Sequence, residues 1–171
     1  SWALKGHILA VEEFIIQSPK EVRKLNQYKK INKFKLEDSV DDIIIYIKDK
    51  TFIFDKVKGE LAKVILDDKN LIVSPPKLNI WRAPTDNDEG GDGNKSFAAR
   101  WKNAGYSNLK REILSVDIED KIENNVNISV EEKHISKVGD INATIEYTFL
   151  NNGDVLINVN AEIDSSLPVL P

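Results

Sequence analysis

The sequence predicts an all-β, antiparallel fold, and three observations carry that reading. In the last third, Ile141, Ala143, Ile145, Tyr147 and Phe149 alternate strictly with polar residues, and so do Val155, Ile157, Val159, Ala161 and Ile163. A period of two is the rhythm of a strand with one dry face. Between these runs stands Asn152-Gly153, the strongest short-range hairpin signal in the chain. Elsewhere the apolar runs are strand-length, and helical spacing is kept clearly at only one place, by Phe97, Trp101 and Ala104, where Phe97 and Trp101 are expected to pack in the core.

In chain order, residues 8–16 read as a strand with apolar side chains on both faces, as at a domain junction. Glu12 and Glu13 interrupt it, but successive strand residues face opposite ways, so they do not form an acid pair. His7 and His134 have no second ligand-type residue at metal spacing and are read as structural or solvent-facing. Residues 18–32 turn polar and basic and read as a linker, with a short helix around 20–27. Strands follow at 34–36 and 43–48, and a turn at Asp49-Lys50 leads into 51–54. Lys58-Gly59 turns again, 60–66 is a strand, and Asp67 to Asn70 is a turn. A strand at 71–73 is stopped by Pro75-Pro76, before a key strand that ends near Trp81. After the helix, which Ser96 or Asn94 can cap and Gly105 can end, the meander resumes with Ile113, Val116 and Ile118. It turns at Glu123 to Asn125, runs through Val126, Ile128 and Val130, and turns at Gly139-Asp140. Successive hairpins imply an antiparallel meander.

Composition excludes several functions. At 171 residues the chain holds one domain, or one domain and an appendage. Its 24 basic and 28 acidic residues give a net charge of −4, which argues against nucleic acid and against an anionic membrane surface. No apolar run approaches the ~20 residues of a spanning helix. The absence of cysteine removes disulfides and thiolate metal sites and suits a cytoplasmic protein.

Chemistry, if any, concentrates where the strand rhythm breaks: Trp81-Arg82-Ala83-Pro84-Thr85-Asp86-Asn87-Asp88-Glu89, then Gly90, Gly91 and Gly93. Pro84 pushes the chain out of a sheet, and the Asp and Asn side chains hold irregular turns. Arg82 is expected to grip Asp86 or Asp88 and pin the loop. An EF-hand reading fails because Gly90 occupies the third ligand position. A phosphate-loop reading fails because the glycines before Lys95-Ser96 have the wrong spacing and enclose Asp92. A glycosidase carboxylate pair needs groups roughly 5–10 Å apart across one bond, which two near-neighbours in a loop reach only by accident. A metal-dependent hydrolase using Asp86 and Asp88 is the weakest alternative.

The segment from Trp81 to Asp88, followed by glycine and then by Arg100-Trp101-Lys102-Asn103-Ala104-Gly105, resembles the opening of the C-terminal domain of the large bacterial β-galactosidases of glycoside hydrolase family 2. The run from Trp2 to Phe14 is similar to the closing strand of that family's preceding immunoglobulin-like domain. Phe54-Asp55-Lys56 and Gly59-Glu60-Leu61 match a little upstream of the loop. The resemblance implies that residues 1–17 close the immunoglobulin-like domain and that 18–32 link it onward. Residues 33–171 would then be the N-terminal part of an antiparallel β-supersandwich, galactose mutarotase-like and incomplete.

It further implies a non-catalytic piece of an enzyme that hydrolyses terminal β-D-galactosyl residues by a retaining two-glutamate mechanism. The two glutamates lie in a barrel domain that no segment here matches. Asp86, Asn87, Asp88 and Glu89 would face that barrel, with Trp81, Arg82, Pro84 and Trp101 anchoring the loop. No cofactor is expected within the chain; the family often uses Mg and Na ions bound by other domains. The expected partners are the barrel and, through it, the galactoside. A stand-alone carbohydrate-binding or architectural β-domain is the alternative. The apolar ending from Leu167 to Pro171 suggests a chain broken off from a longer one, leaving an uncovered sheet face through which it self-associates.

Overall fold

The computed structural model describes residues 34–91, 93–119 and 125–171. The expected strand at 8–16, the linker at 18–32 and the turn at Glu123-Asn124 lie outside these residues. Among the described residues nine strands form two antiparallel meanders, with β1 to β5 in one sheet and β6 to β9 in the other. The first sheet contains β1 (Phe34–Asp38), β2 (Asp42–Ile47), β3 (Lys50–Asp55), β4 (Glu60–Leu66) and the two-residue β5 (Lys69–Asn70). The second contains β6 (Lys110–Glu119), β7 (Val126–Ile135), β8 (Asp140–Phe149) and β9 (Val155–Ile163). Among the described residues no helix is long and apolar enough to cross a membrane.

The two sheets pack face to face through the residues that period two selects. Ile43, Ile45, Ile47, Phe52, Phe54 and Leu61 from one sheet meet Val126, Ile128, Val130, Ile145, Tyr147 and Phe149 from the other. Two edge-to-face aromatic pairs span the layer, Phe52 with Phe149 at 5.3 Å and Phe54 with Tyr147 at 5.1 Å. Each fully buried aliphatic or aromatic side chain of this kind contributes about 1.5–3 kcal/mol. Gly59 lets the sheets close. It adopts φ +58°, and a Cβ there would stand 2.9 Å from Val130 Cγ1.

The sheets are also fastened by charge. Arg111 on β6 donates to the carbonyls of Lys58 and Gly59 at 2.7 and 3.2 Å, and through Nε to Glu132 at 2.6 Å. Glu132 in turn contacts His134 Nε2 at 2.7 Å, and both side chains are buried on the inner face of β7. Burial pushes the Glu132 carboxyl up, but the hydrogen bonds from His134 and Arg111 outweigh it and leave it below the ordinary value. Burial, with Glu132 nearby, raises the Tyr147 phenol to about 12.

Several local expectations are corrected. The β2–β3 turn is Lys48-Asp49, with Lys48 in the left-handed region, so Lys50 already pairs with Ile47. Asp67 and Asp68, both at positive φ, make the β4–β5 turn, and Lys69 and Asn70 pair as a strand instead of turning. Residues 71–73 form no strand. The Asn70 side chain takes up the N–H groups of Val64 and Ile72, and Leu71 N–H already bonds the Val64 carbonyl. The hairpin expected at Asn152-Gly153 does join β8 to β9, closed by Leu150 N–H on the carbonyl of Asp154 with Gly153 at φ +85°. Inner-face residues of β9 emerge from the sandwich: Ile157, Val159 and Ile163 are 42, 48 and 46% exposed.

Candidate functional site

From Ile72 to Thr85 the chain runs without a ladder partner, so the expected strand ending at Trp81 is an extended strap instead. Pro75 and Pro76 have no N–H to offer, and Asn79 satisfies the backbone locally, donating to the Trp81 carbonyl at 2.8 Å and accepting from its N–H at 3.3 Å. Side chains peg the strap down instead. Ile72 and Leu78 pack on the sandwich core, and Lys77 reaches the buried Glu60 carboxylate at 3.1 Å. Trp81 packs on a second cluster built from Trp101, Ala104 and Tyr106.

The loop proper starts at Thr85, the N-cap of a single helical turn, α1 (Asp86–Glu89), that the sequence reading expected as an irregular turn. Its acids sit where the exposed N–H groups of a helix start favour negative charge. Asp88 is the centre of this turn. Its carboxylate accepts from Arg82 Nη1 at 2.6 Å and Nη2 at 3.0 Å, and from the N–H and hydroxyl of Thr85 at 2.7 and 2.8 Å. The fork of Arg82 thus closes on Asp88 and not on Asp86. The Arg82 fork and the Thr85 donors hold the Asp88 carboxyl well below the usual carboxylate range, and Asp88 holds Arg82 above its own. Asp86, Asn87 and Glu89 remain exposed, with Glu89 3.5 Å from Lys102.

The far side of the loop returns to the same place. Gly91 at φ +103° and Gly93 at φ +50° turn the chain into a short 3-10 turn at Gly93–Lys95. Ser96 caps α2 (Phe97–Ala104) by accepting from Ala99 N–H at 3.2 Å, and Gly105 ends it in the left-handed conformation. Trp101 is buried, and Arg82 lies 5.0 Å over its ring, so one guanidinium touches both ends of the loop. Phe97, expected to pack inside, is instead 44% exposed beside Trp101, with Arg100 4.5 Å over its ring. Pro84 is half-buried where the strap enters the loop.

Chemically the arrangement is a clasp. The loop's best-placed carboxylate already accepts four hydrogen bonds, which leaves it poorly suited to abstract a proton or bind a cation. Among the described residues no group of three or more metal-ligating side chains is gathered in one place. The Arg111–Glu132–His134 cluster was missed by sequence reading, which treated His134 alone. Extending the alternation of Val126, Ile128 and Val130 by two more steps puts Glu132 and His134 on the dry face, and that is the signal that finds it.

Comparison with known proteins joins these features. Residues 47–171 match the family described as beta galactosidase small chain. A β-galactosidase of Actinobacillus pleuropneumoniae is 32% identical over 119 residues, covering 68% of this chain and 11% of that protein. Those of Clostridium acetobutylicum and Psychromonas ingrahamii are 27% and 28% identical, each over 99% of this chain and over 18% and 17% of their own length. The chain therefore spans less than a fifth of the length of these relatives.

Proposed function

We propose that this chain, which belongs to the beta galactosidase small chain family, is a non-catalytic, architectural part of an enzyme that hydrolyses terminal β-D-galactose residues. The observation that carries the proposal is the occupied carboxylate of Asp88, in a loop whose geometry is set by Arg82 and Thr85. A reacting acid must be free to exchange a proton in a substrate pose; this one is bound into the fold. In this reading the retaining pair of glutamates lies in a barrel domain elsewhere in the enzyme. The exposed Asp86, Asn87 and Glu89 face that barrel and support the mouth of its site, and any Mg or Na ions belong to other domains. The sandwich is the first part of a larger galactose mutarotase-like supersandwich.

The test is turnover of a chromogenic β-galactoside by the 171-residue chain alone. No turnover above background is expected, and hydrolysis by the isolated chain would overturn the reading. Supporting the same view of an unfinished sandwich, the uncovered row of Ile157, Val159 and Ile163 on the free edge strand favours self-association of the isolated chain. Light scattering across a wide concentration range should show oligomers that Val159→Lys disperses; a strictly monomeric chain contradicts this.

A further inference from the structure

The helix that closes the loop also borders a cleft with no role in the clasp. A space of about 360 Å³ lies between the second half of α2, the β7–β8 hairpin and the segment after β9, with Ala104, Val138, Leu167 and Pro168 as an apolar lining and Arg100 and Asn103 at its edge. Its walls are cross-tied. Lys137 N–H donates to the Ala104 carbonyl at 3.0 Å, and Ser166 Oγ donates to the Val138 carbonyl at 2.8 Å. Trp101 Nε1 and the Tyr106 hydroxyl hold the carbonyls of Val169 and Pro168 at 2.7 and 2.6 Å. Three separate elements are fixed in this way around the space, so nothing needs to be ordered before it is filled.

Charge at the rim is unmatched. Lys102 on α2 has Glu89 as a partner, whereas Arg100 forms no ion pair among the described residues and has only the Phe97 ring beneath it. A guanidinium resting over a ring keeps N–H groups available for a carboxylate and loses less freedom on binding than an unsupported side chain. Two further exposed apolar side chains adjoin the lining, Phe97 under Arg100 and Val169 next to Pro168 in the chain. Arginine and aromatic residues are the types that dominate protein interfaces.

We infer that this cleft grips a neighbouring stretch of polypeptide in which an Asp or Glu stands beside apolar side chains. Its carboxylate lies on Arg100 and its apolar groups lie on Val138, Leu167 and Pro168. The inference deepens the architectural role proposed above and rests on it only for the existence of a neighbour.

The experiment is amide chemical-shift mapping of the chain with acetyl-Leu-Phe-Asp-Leu-amide and with the same peptide carrying Asn for Asp. Shifts are expected at Arg100 to Ala104, at Val138 and at Leu167 to Val169. The Asn peptide should bind about tenfold more weakly, as expected for loss of a charge-assisted pair. Arg100→Gln should weaken the Asp peptide by the same factor and erase the difference between the two peptides. Equal binding of both peptides to the unsubstituted chain, shifts elsewhere, or no binding by either at millimolar concentration overturns the inference. So does isocaproate binding as tightly as the Asp peptide, which would make the cleft a site for small acids. None of these results bears on galactoside turnover, so the two readings fail separately.

Discussion

Strand β8 and the strap and loop from Asn79 to Ser96 are both held firmly, but by different groups. In β8 the backbone bonds its neighbours on both sides, and from Ile141 to Phe149 side chains are needed only to fill the layer. In the loop almost no ladder exists, and side chains take the backbone's place: Asn79 for Trp81, Asp88 for Thr85 and Ser96 for Ala99. The first arrangement tolerates any residue of the right size and polarity. The second depends on particular functional groups, so a change there alters local shape before it alters global stability.

That contrast can be broken most severely where a polar group has entered the ladder region. Glu132→Ala leaves the buried His134 and the half-buried Arg111 without their carboxylate, and urea unfolding should show a loss of about 3 kcal/mol. A loss near zero would mean that the cluster is solvated. Next comes Gly59→Ala, which combines a left-handed φ with a Cβ 2.9 Å from Val130; about 2–3 kcal/mol is expected from the same unfolding curves.

The loop should respond in the opposite sense. Arg82→Ala or Asp88→Asn is expected to leave the urea midpoint close to that of the unsubstituted chain. In hydrogen exchange the same variants should lose protection at the Thr85 and Gly90 amides while β7 and β8 stay protected. Loss of protection across β8 as well would erase the distinction between the two regions.

The same difference explains what could be read in advance. Strands β7 and β8 were visible because burial on one face of a pleated sheet forces alternation, and Ser96 and Gly105 marked the helix ends by their capping chemistry. Residues 71–73 misled because Leu71 and Val73 are apolar yet exposed, and the Asn70 side chain takes the N–H groups of Val64 and Ile72 that a ladder would have paired. Phe97 has the right helical spacing for the core, but spacing does not say how wide the covered stripe is, and here Trp101 and Ala104 are covered while Phe97 is not. The loop's motif identified the family, and Arg82 was recognisable as its pin. Its choice of Asp88 over Asp86 follows from the helical turn, in which Asp88 stands three residues after the Thr85 cap and reaches back to its N–H.

The account depends most on Asp88 being committed to the fold, and titrating its carboxyl carbon by NMR tests this directly. A carboxyl whose pKa is depressed in the closed clasp stabilises that local structure above its unfolded value and ceases to do so as pH falls through the closed-state one. Asp88 should therefore stay ionised, with the Thr85 amide still protected, at acidities where ordinary aspartates are already protonated, and the clasp should open only well below that range. An Asp88 that titrates in the ordinary aspartate range, with the Arg82 fork detached at neutral pH, would contradict it.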